Sequence, residues 1–225
     1  VSAAPGGTLL KESILNNLFT LDSNNAAKWK HKIGIKKFEQ CKFSDICIES
    51  MFGPRFSSKL YNANGNIASL RTTDLNNDGD INLSTMPRAI VGNKNFIEHY
   101  LKVGDLVISR SGTCGIAAVF DGYEDIPVVP AAFLIRFRLK NNINPHYLKL
   151  FFNSRIGRRM SAKIANGAVQ KNLTSKALLK LNIPMPNFNT QNKIVRMIDD
   201  LKIKAIEDHL LFCGNLQKSL ANQIF

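Results

Sequence analysis

No apolar run in the 225 residues approaches the ~20 needed to span a bilayer. The best candidate, Ile126 to Ile135, is broken by Pro127 and Pro130, so no transmembrane helix is expected. The first residues lack a basic segment followed by an apolar core, and no signal peptide is read there. Val1 to Gly7 reads as a flexible leader. Cysteine is sparse: Cys41, Cys47, Cys114 and Cys213 form no C-x-x-C pair and have no histidine companion at zinc spacing. That excludes a zinc finger, and reduced thiols in a cytoplasmic protein are the expectation. No G-x-x-x-x-G-K-[ST] phosphate loop occurs, which excludes an ATP motor of that type. His31, His99, His146 and His209 are scattered, and none stands at i, i+4 to another ligand type. No carboxylate cluster of the nuclease kind gathers around a lysine. The chain is therefore read as having no catalytic constellation, no metal and no cofactor.

Acidic residues are the scarcest of all in one stretch. Between Ile126 and Ile198 there is none, whereas Arg136, Arg138, Lys140, Lys149, Arg155, Arg158, Arg159, Lys163, Lys171, Lys176, Lys180, Lys193 and Arg196 all fall there. Residues 36–186 hold twenty-one Lys and Arg against eleven Asp and Glu, and carry most of the formal net charge of +13. A one-sign field of this kind points to a polyanion, with the Lys and Arg of 136–180 engaging it. Hydrophobic content of 44% and charged content of 21% are enough for a sizeable folded core.

What is present divides the chain into three parts. Residues 1–35 hold the leader, a helix from Thr8 to Thr20 and a polar connector with the only tryptophan, Trp29. Residues 36–186 carry turn signals and short strand-like runs, Leu106 to Ser109, Gly115 to Phe120 and Ala131 to Leu139, and read as a largely β globule. A helix from Pro145 to Ala165 follows, then a short one from Thr174 to Leu181. Residues 187–225 open after Pro184 and Pro186, with Asn189 or Thr190 as N-cap. There Ile194, Ile198, Leu201, Ala205, Phe212, Leu216, Leu220 and Ile224 recur at steps of three and four. Such a helix is roughly 50 Å long at about 1.5 Å per residue. Its stripe suits either packing on its own domain or a coiled-coil arm that docks a partner helix. The fold class is thus α+β, a mixed, largely β domain followed by a long coiled-coil-type helix. Leu10 to Phe19 aligns without gaps on Leu216 to Phe225, as if the chain began where it ends, one unit of a larger cyclic or tandem repeat.

Two motifs invite a sharper chemistry than they support. Asp74 to Thr85 places oxygen side chains at positions 1, 3 and 5 of a calcium loop, with Gly79 at position 6, but Thr85 replaces the closing glutamate. A hydrogen-bonded hairpin is the better reading. Asn144-Pro-His-Tyr147 is similar to the N-P-P-Y of DNA adenine methyltransferases, yet no glycine-rich cofactor loop accompanies it. Asn-Pro at a helix start explains it.

Polar loops with arginine beside hydroxyl or amide residues are what remain. These are Arg55, Ser57 and Lys59 after the Gly53-Pro54 turn, then Arg71, Thr72 and Thr73. Arg110, Ser111 and Thr113 form a third loop, and Gln170, Lys171 and Asn172 a fourth. Arginine reads guanine O6 and N7 with two parallel bonds, Gln and Asn suit adenine, and Ser, Thr and Lys serve phosphates or base edges. All twelve are candidate duplex-DNA contacts.

The run Gly104-Asp-Leu-Val-Ile-Ser-Arg-Ser-Gly-Thr113, with Pro145-His-Tyr-Leu148, Asn153-Ser154 and Gly167-Ala-Val-Gln-Lys-Asn-Leu173, resembles the DNA-specificity subunits of type I restriction–modification enzymes. Leu181-Asn-Ile-Pro-Met-Pro186 and Gln191-Asn-Lys-Ile-Val195, opening the long helix, extend the resemblance to the end of the chain. It implies a target recognition domain, a conserved helix that docks methyltransferase subunits and through them the restriction subunit, and no chemistry of the chain's own. Family members usually carry two recognition domains in one chain. This sequence has one, and so reads as a fragment or as a half that forms a homodimer through its helix. A DNA adenine methyltransferase with an unrecognised cofactor motif, and a helical assembly protein with an incidental basic face, stand as alternatives.

Overall fold

The computed structural model describes Lys11, Leu15, Phe19 and residues 38–55, 57–92, 96–123, 126–166 and 172–224. For Ser58, Asn166 and the last helix beyond Asp208, Leu211 excepted, only the backbone is described. Lys11, Leu15 and Phe19 are helical. They are followed by β1 (Gln40–Lys42), α1 (Phe43–Ile46), β2 (Cys47–Phe52), β3 (Ile67–Leu70), β4 (Arg88–Ala89) and β5 (Leu106–Ser109). Then come β6 (Ala117–Val119), β7 (Val128–Pro130), β8 (Leu134–Leu139), α2 (Pro145–Asn153), α3 (Arg155–Asn166), α4 (Ser175–Leu178), β9 (Asn182–Pro184) and α5 (Phe188–Ile224).

The strands form an antiparallel sheet in the order β2-β8-β5-β6, a second sheet β4-β3-β7 with β3 and β7 parallel, and the small pair β1-β9. Strand alternation sorts the core into layers. Leu106, Ile108, Ala117, Val119, Ile135 and Phe137 face the helices and pack with Phe43, Tyr147, Leu148, Phe151 and Phe152. Val107, Ala118 and Leu134 face the other way, onto Ala68, Leu70 and Val128 of the second sheet. Helices, four-stranded sheet and three-stranded sheet therefore stack in that order, an α+β architecture. Leu15 and Phe19 are buried in the helical layer, Phe19 edge-on to Phe151 at 5.2 Å and to Tyr147 at 5.9 Å.

The helix expected from Pro145 to Ala165 is two helices. The helix stops after Asn153, where Ser154 turns extended (φ −68°, ψ 159°), and the Asn153 amide holds strand β6, accepting Ala117 N–H (3.0 Å) and donating to Ala117 O (2.6 Å) and Asp78 O (3.0 Å). Ser154 then restarts the chain, its Oγ accepting Gly157 N–H at 3.2 Å. Asn144 caps α2 through His146 N–H at 2.8 Å, with Pro145 in the first turn, as the sequence suggests. The long helix begins slightly earlier than expected, at Phe188, because Asn187 Oδ1 accepts Thr190 N–H at 3.0 Å.

A single clamp joins α2, β9 and α5. The buried Gln191 accepts Asn144 N–H at 2.8 Å with Oε1 and donates to Pro186 O at 2.8 Å with Nε2. Asn144 Nδ2 donates to Asn192 Oδ1 at 2.7 Å, and the buried Tyr147 hydroxyl donates to Pro184 O. Much of the signature Pro145-His-Tyr-Leu, Ile-Pro-Met-Pro and Gln-Asn is therefore this joint. The first turns of α5 are part of the core: Ile194 and Ile198 are wholly buried, and Leu201 packs at its margin.

Candidate nucleic-acid interface

Strand register brings the polar loops together. Phe52 pairs with Ile135, Ser109 with Leu134, and Ile108 with Ala117. Leu70 pairs with Pro130, and Ala131 N–H donates to Leu70 O at 2.7 Å. The C-terminal ends of β2, β3, β5 and β7 and the N-terminal ends of β6 and β8 thus lie along one edge of the two sheets. The loops after β2, β3 and β5 and the β7–β8 turn all leave from it. The fourth candidate loop reaches the same edge through Leu173, whose N–H donates to Arg110 O at 3.0 Å.

The β5–β6 loop is braced for presentation. Ser109 Oγ donates to Thr113 O (2.6 Å) and accepts Ile116 N–H (2.9 Å). Arg110 N–H donates to Phe133 O at 2.9 Å. Gly115 has φ +85°, and a Cβ there would lie 2.8 Å from the Ser161 Cβ on α3, so only glycine lets helix and loop approach this closely. Thr113 is exposed, while Arg110 and Ser111 are half-buried.

The candidate residues differ in what they are available to do. Arg55 and Ser57 are exposed on the segment leaving β2. Lys59 is exposed too but lies away from the edge, since Leu60 beside it accepts Ile90 N–H at 2.9 Å beyond β4. Arg71 is committed inward: Nε and Nη2 bind both oxygens of the buried Asp74 at 3.1 and 2.8 Å, and Nη2 also donates to Thr85 O at 2.7 Å. The hydrogen bonds it donates to the Asp74 carboxylate raise the Arg71 pKa further. Thr73 beside it is exposed and Thr72 half-buried. Asn172 is half-buried, and Gln170 and Lys171 lie outside the described residues.

The loop from Asp74 to Thr85 is a hairpin closed by the Leu75–Ile81 bridge, and its acids are matched to bases rather than to one another. Asp74 binds Arg71 and Thr85, Asp78 binds Lys11 at 2.6 Å, and Asp80 binds Lys149 at 2.6 Å. Burial pushes the Asp80 carboxyl up, but the Lys149 ammonium, the Asn76 amide and the Lys202 charge together outweigh it and leave the pKa below the ordinary value. Among the described residues no group of three or more potential ligands could hold a metal ion.

The acid-free stretch needs a correction. Arg136, Arg138 and Lys149 do not offer their charges to a polyanion, because folding brings acids from earlier in the chain to them. Buried Arg136 pairs with Glu49 and donates to Glu98 O at 2.7 Å. Arg138 meets Asp105 with two bonds of 3.0 Å and Glu49 with a third of 3.0 Å. Arg158 Nη2 donates to Asn77 O at 2.6 Å. Arg155, Arg159 and Lys163 are exposed on α3 at steps of four, with no ion pair to any described residue, and make one cationic stripe. Lys140, Lys176, Lys180, Lys193 and Arg196 are exposed as well.

Sequence reading missed two aromatic residues at the edge. Phe133 is 57% exposed in the β7–β8 turn, and Phe52 closes β2 with its ring 4.6 Å from the Arg110 guanidinium carbon. Neither carries a local signal, since each sits in an apolar strand-like run. Along α5, Leu201 and Ala205 are half-buried, and Phe212, Leu216, Leu220 and Ile224 lie where only the backbone is described. Ile203, Ile206 and Leu211 on the same helix are exposed.

Three solved structures share the architecture. The HsdS subunit from Thermoanaerobacter tengcongensis superposes with a TM-score of 0.62 at 18% identity, over 90% of this chain and 44% of that one. A structure described as the "structural basis underlying complex assembly and conformational transition of the type I R-M system" gives a TM-score of 0.64 at 17% identity, over 97% and 47%. The type I restriction-modification S subunit from M. genitalium gives 0.56 at 16% identity, over 95% and 52%. The chain spans about half the length of these structures, and likeness at such identity shows a shared fold. No curated protein sequence matches it significantly. The sequence pattern of the type I restriction modification DNA specificity domain matches residues 35–211, and with most of its length so covered the chain belongs to that family.

Proposed function

We propose that the chain recognises a short duplex-DNA sequence through the strand-end edge and contributes specificity rather than chemistry to a type I restriction–modification complex. The observation that carries this is the convergence of the loops after β2, β3 and β5, the β7–β8 turn and the Asn172 segment on one edge; the cationic stripe of α3 adds an exposed phosphate-binding surface on another element. Arg55, Ser57, Thr73, Arg110, Ser111, Thr113 and Gln170 to Asn172 contact bases and the adjoining backbone. Arg155, Arg159 and Lys163 contact phosphates, which position the protein without specifying sequence. Arg71, held by Asp74 and Thr85, shapes its loop. Methylation and cleavage belong to partner subunits, which dock on α5 through its distal stripe, Ala205, Phe212, Leu216, Leu220 and Ile224. The same helix can pair two copies of this recognition unit, and the complex works in the cytoplasm.

Binding of the full chain to a randomised duplex pool at two salt concentrations, with sequencing of the retained DNA, tests the function. Enrichment of a short motif at both concentrations is expected. Salt-sensitive retention without enrichment would leave a basic surface and no reader.

A further inference from the structure

We infer that Phe52 is a positioning residue for Arg110, and that the stacked pair reads one guanine of the target duplex. This rests on the DNA-recognition function proposed above. Arg110 is pinned along its backbone, by two partners far away in sequence and one in its own loop. Its N–H is held by Phe133 O at 2.9 Å, and its carbonyl receives Leu173 N–H at 3.0 Å and Cys114 Sγ at 3.0 Å. The side chain then crosses to the end of β2, where the guanidinium carbon stands 4.6 Å from the centre of the Phe52 ring. That ring is itself fixed, because Phe52 packs against the main core and Gly53 beside it donates N–H to Leu134 O at 3.2 Å.

The pair differs from Arg71, Arg136 and Arg138 in what it leaves unused. Arg71, Arg136 and Arg138 are each matched to carboxylates. The Arg110 guanidinium makes no hydrogen bond to any described residue, and its Nε is buried without a partner. The Nη donors are what a ligand meets, and two parallel Nη–H bonds are the geometry that matches guanine O6 and N7. An aromatic face under the guanidinium favours its charge and restricts its rotamers before binding, so less freedom is lost when the bonds form. A lysine could not substitute, and a saturated side chain at position 52 would fill the space without that electrostatic face.

The test compares base preferences, position by position, for the full chain and its Arg110→Ala, Phe52→Leu and Phe52→Trp variants, with thermal midpoints measured in parallel. Arg110→Ala is expected to abolish a guanine preference at one position of the motif, a loss of about 5- to 150-fold in discrimination. Phe52→Leu is expected to weaken that same preference several-fold while the other positions keep theirs, and Phe52→Trp to retain it. An unchanged guanine preference in Phe52→Leu, or an equal loss of affinity for every sequence, would overturn the positioning role. A motif that survives Arg110→Ala at every position would defeat this inference and leave DNA recognition standing. Absence of any motif with the unaltered chain would defeat both.

Discussion

Glu49 shows how single residues set the character of this surface. It lies on β2 and meets Arg136 and Arg138 on the neighbouring β8, while Asp105 meets Arg138 from the other side. Arg136 is almost wholly buried, so its charge is tolerable only while a carboxylate and the carbonyls of Glu98 and Tyr100 surround it. Glu49→Ala is therefore expected to destabilise the fold by about 2–3 kcal/mol, below the usual cost of a broken buried pair because Glu49 itself is partly exposed. Urea unfolding measures this, and an unchanged midpoint would show the pair to be idle. Tyr147→Phe leaves Pro184 O without its buried donor and is expected to cost about 1–3 kcal/mol. Asp80 gives a finer test. Its folded pKa is depressed, so its contribution to stability is present above the unfolded value of about 3.9 and is lost as pH falls through the lower folded value. An NMR titration of Lys149→Gln should show the Asp80 pKa rise, and no change would mean that Lys149 does not hold it.

Among the elements, α3 is the clearest charge-bearing surface. Replacing Arg155, Arg159 and Lys163 together by Ala should lower affinity for every sequence alike and reduce the salt dependence, log K against log salt, by about 2–3. A changed base preference would place the helix among the readers instead. The apolar spacing of α5 and the Asn144-Pro start of α2 were legible in the sequence because their causes are local, a period of three to four and a capping side chain. The break after Asn153 was not, since the amide at that point grips Ala117, on a strand 36 residues earlier. The stripe of α5 was legible too, but sequence alone could not divide it. Its first members, Ile194 and Ile198, go to the core of the same chain.

At the scale of the molecule, the same limit governed charge and site. A run free of acids from Ile126 to Ile198 reads as uniformly cationic, yet Glu49, Asp80 and Asp105 come to it through sheet pairing and the packing of α2. The candidate contacts stood in the sequence as four separate loops; that the loops after β2, β3 and β5 share one edge follows from register, which no local pattern encodes. Phe52 and Arg110 face each other for the same reason. The opposite end of the four-stranded sheet, where β5 begins at Leu106 and β8 ends at Leu139, carries the Asp105–Arg138 pair and no candidate contact.

Backbone hydrogen exchange of the full chain, with and without a duplex enriched from the random pool, tests this assignment most directly. Slower exchange is expected at 109–116, 131–134 and 172–173 upon binding, with residues 102–106 and 138–143 unchanged. Protection confined to that second set, with the first untouched, would contradict the placement of DNA on the strand-end edge.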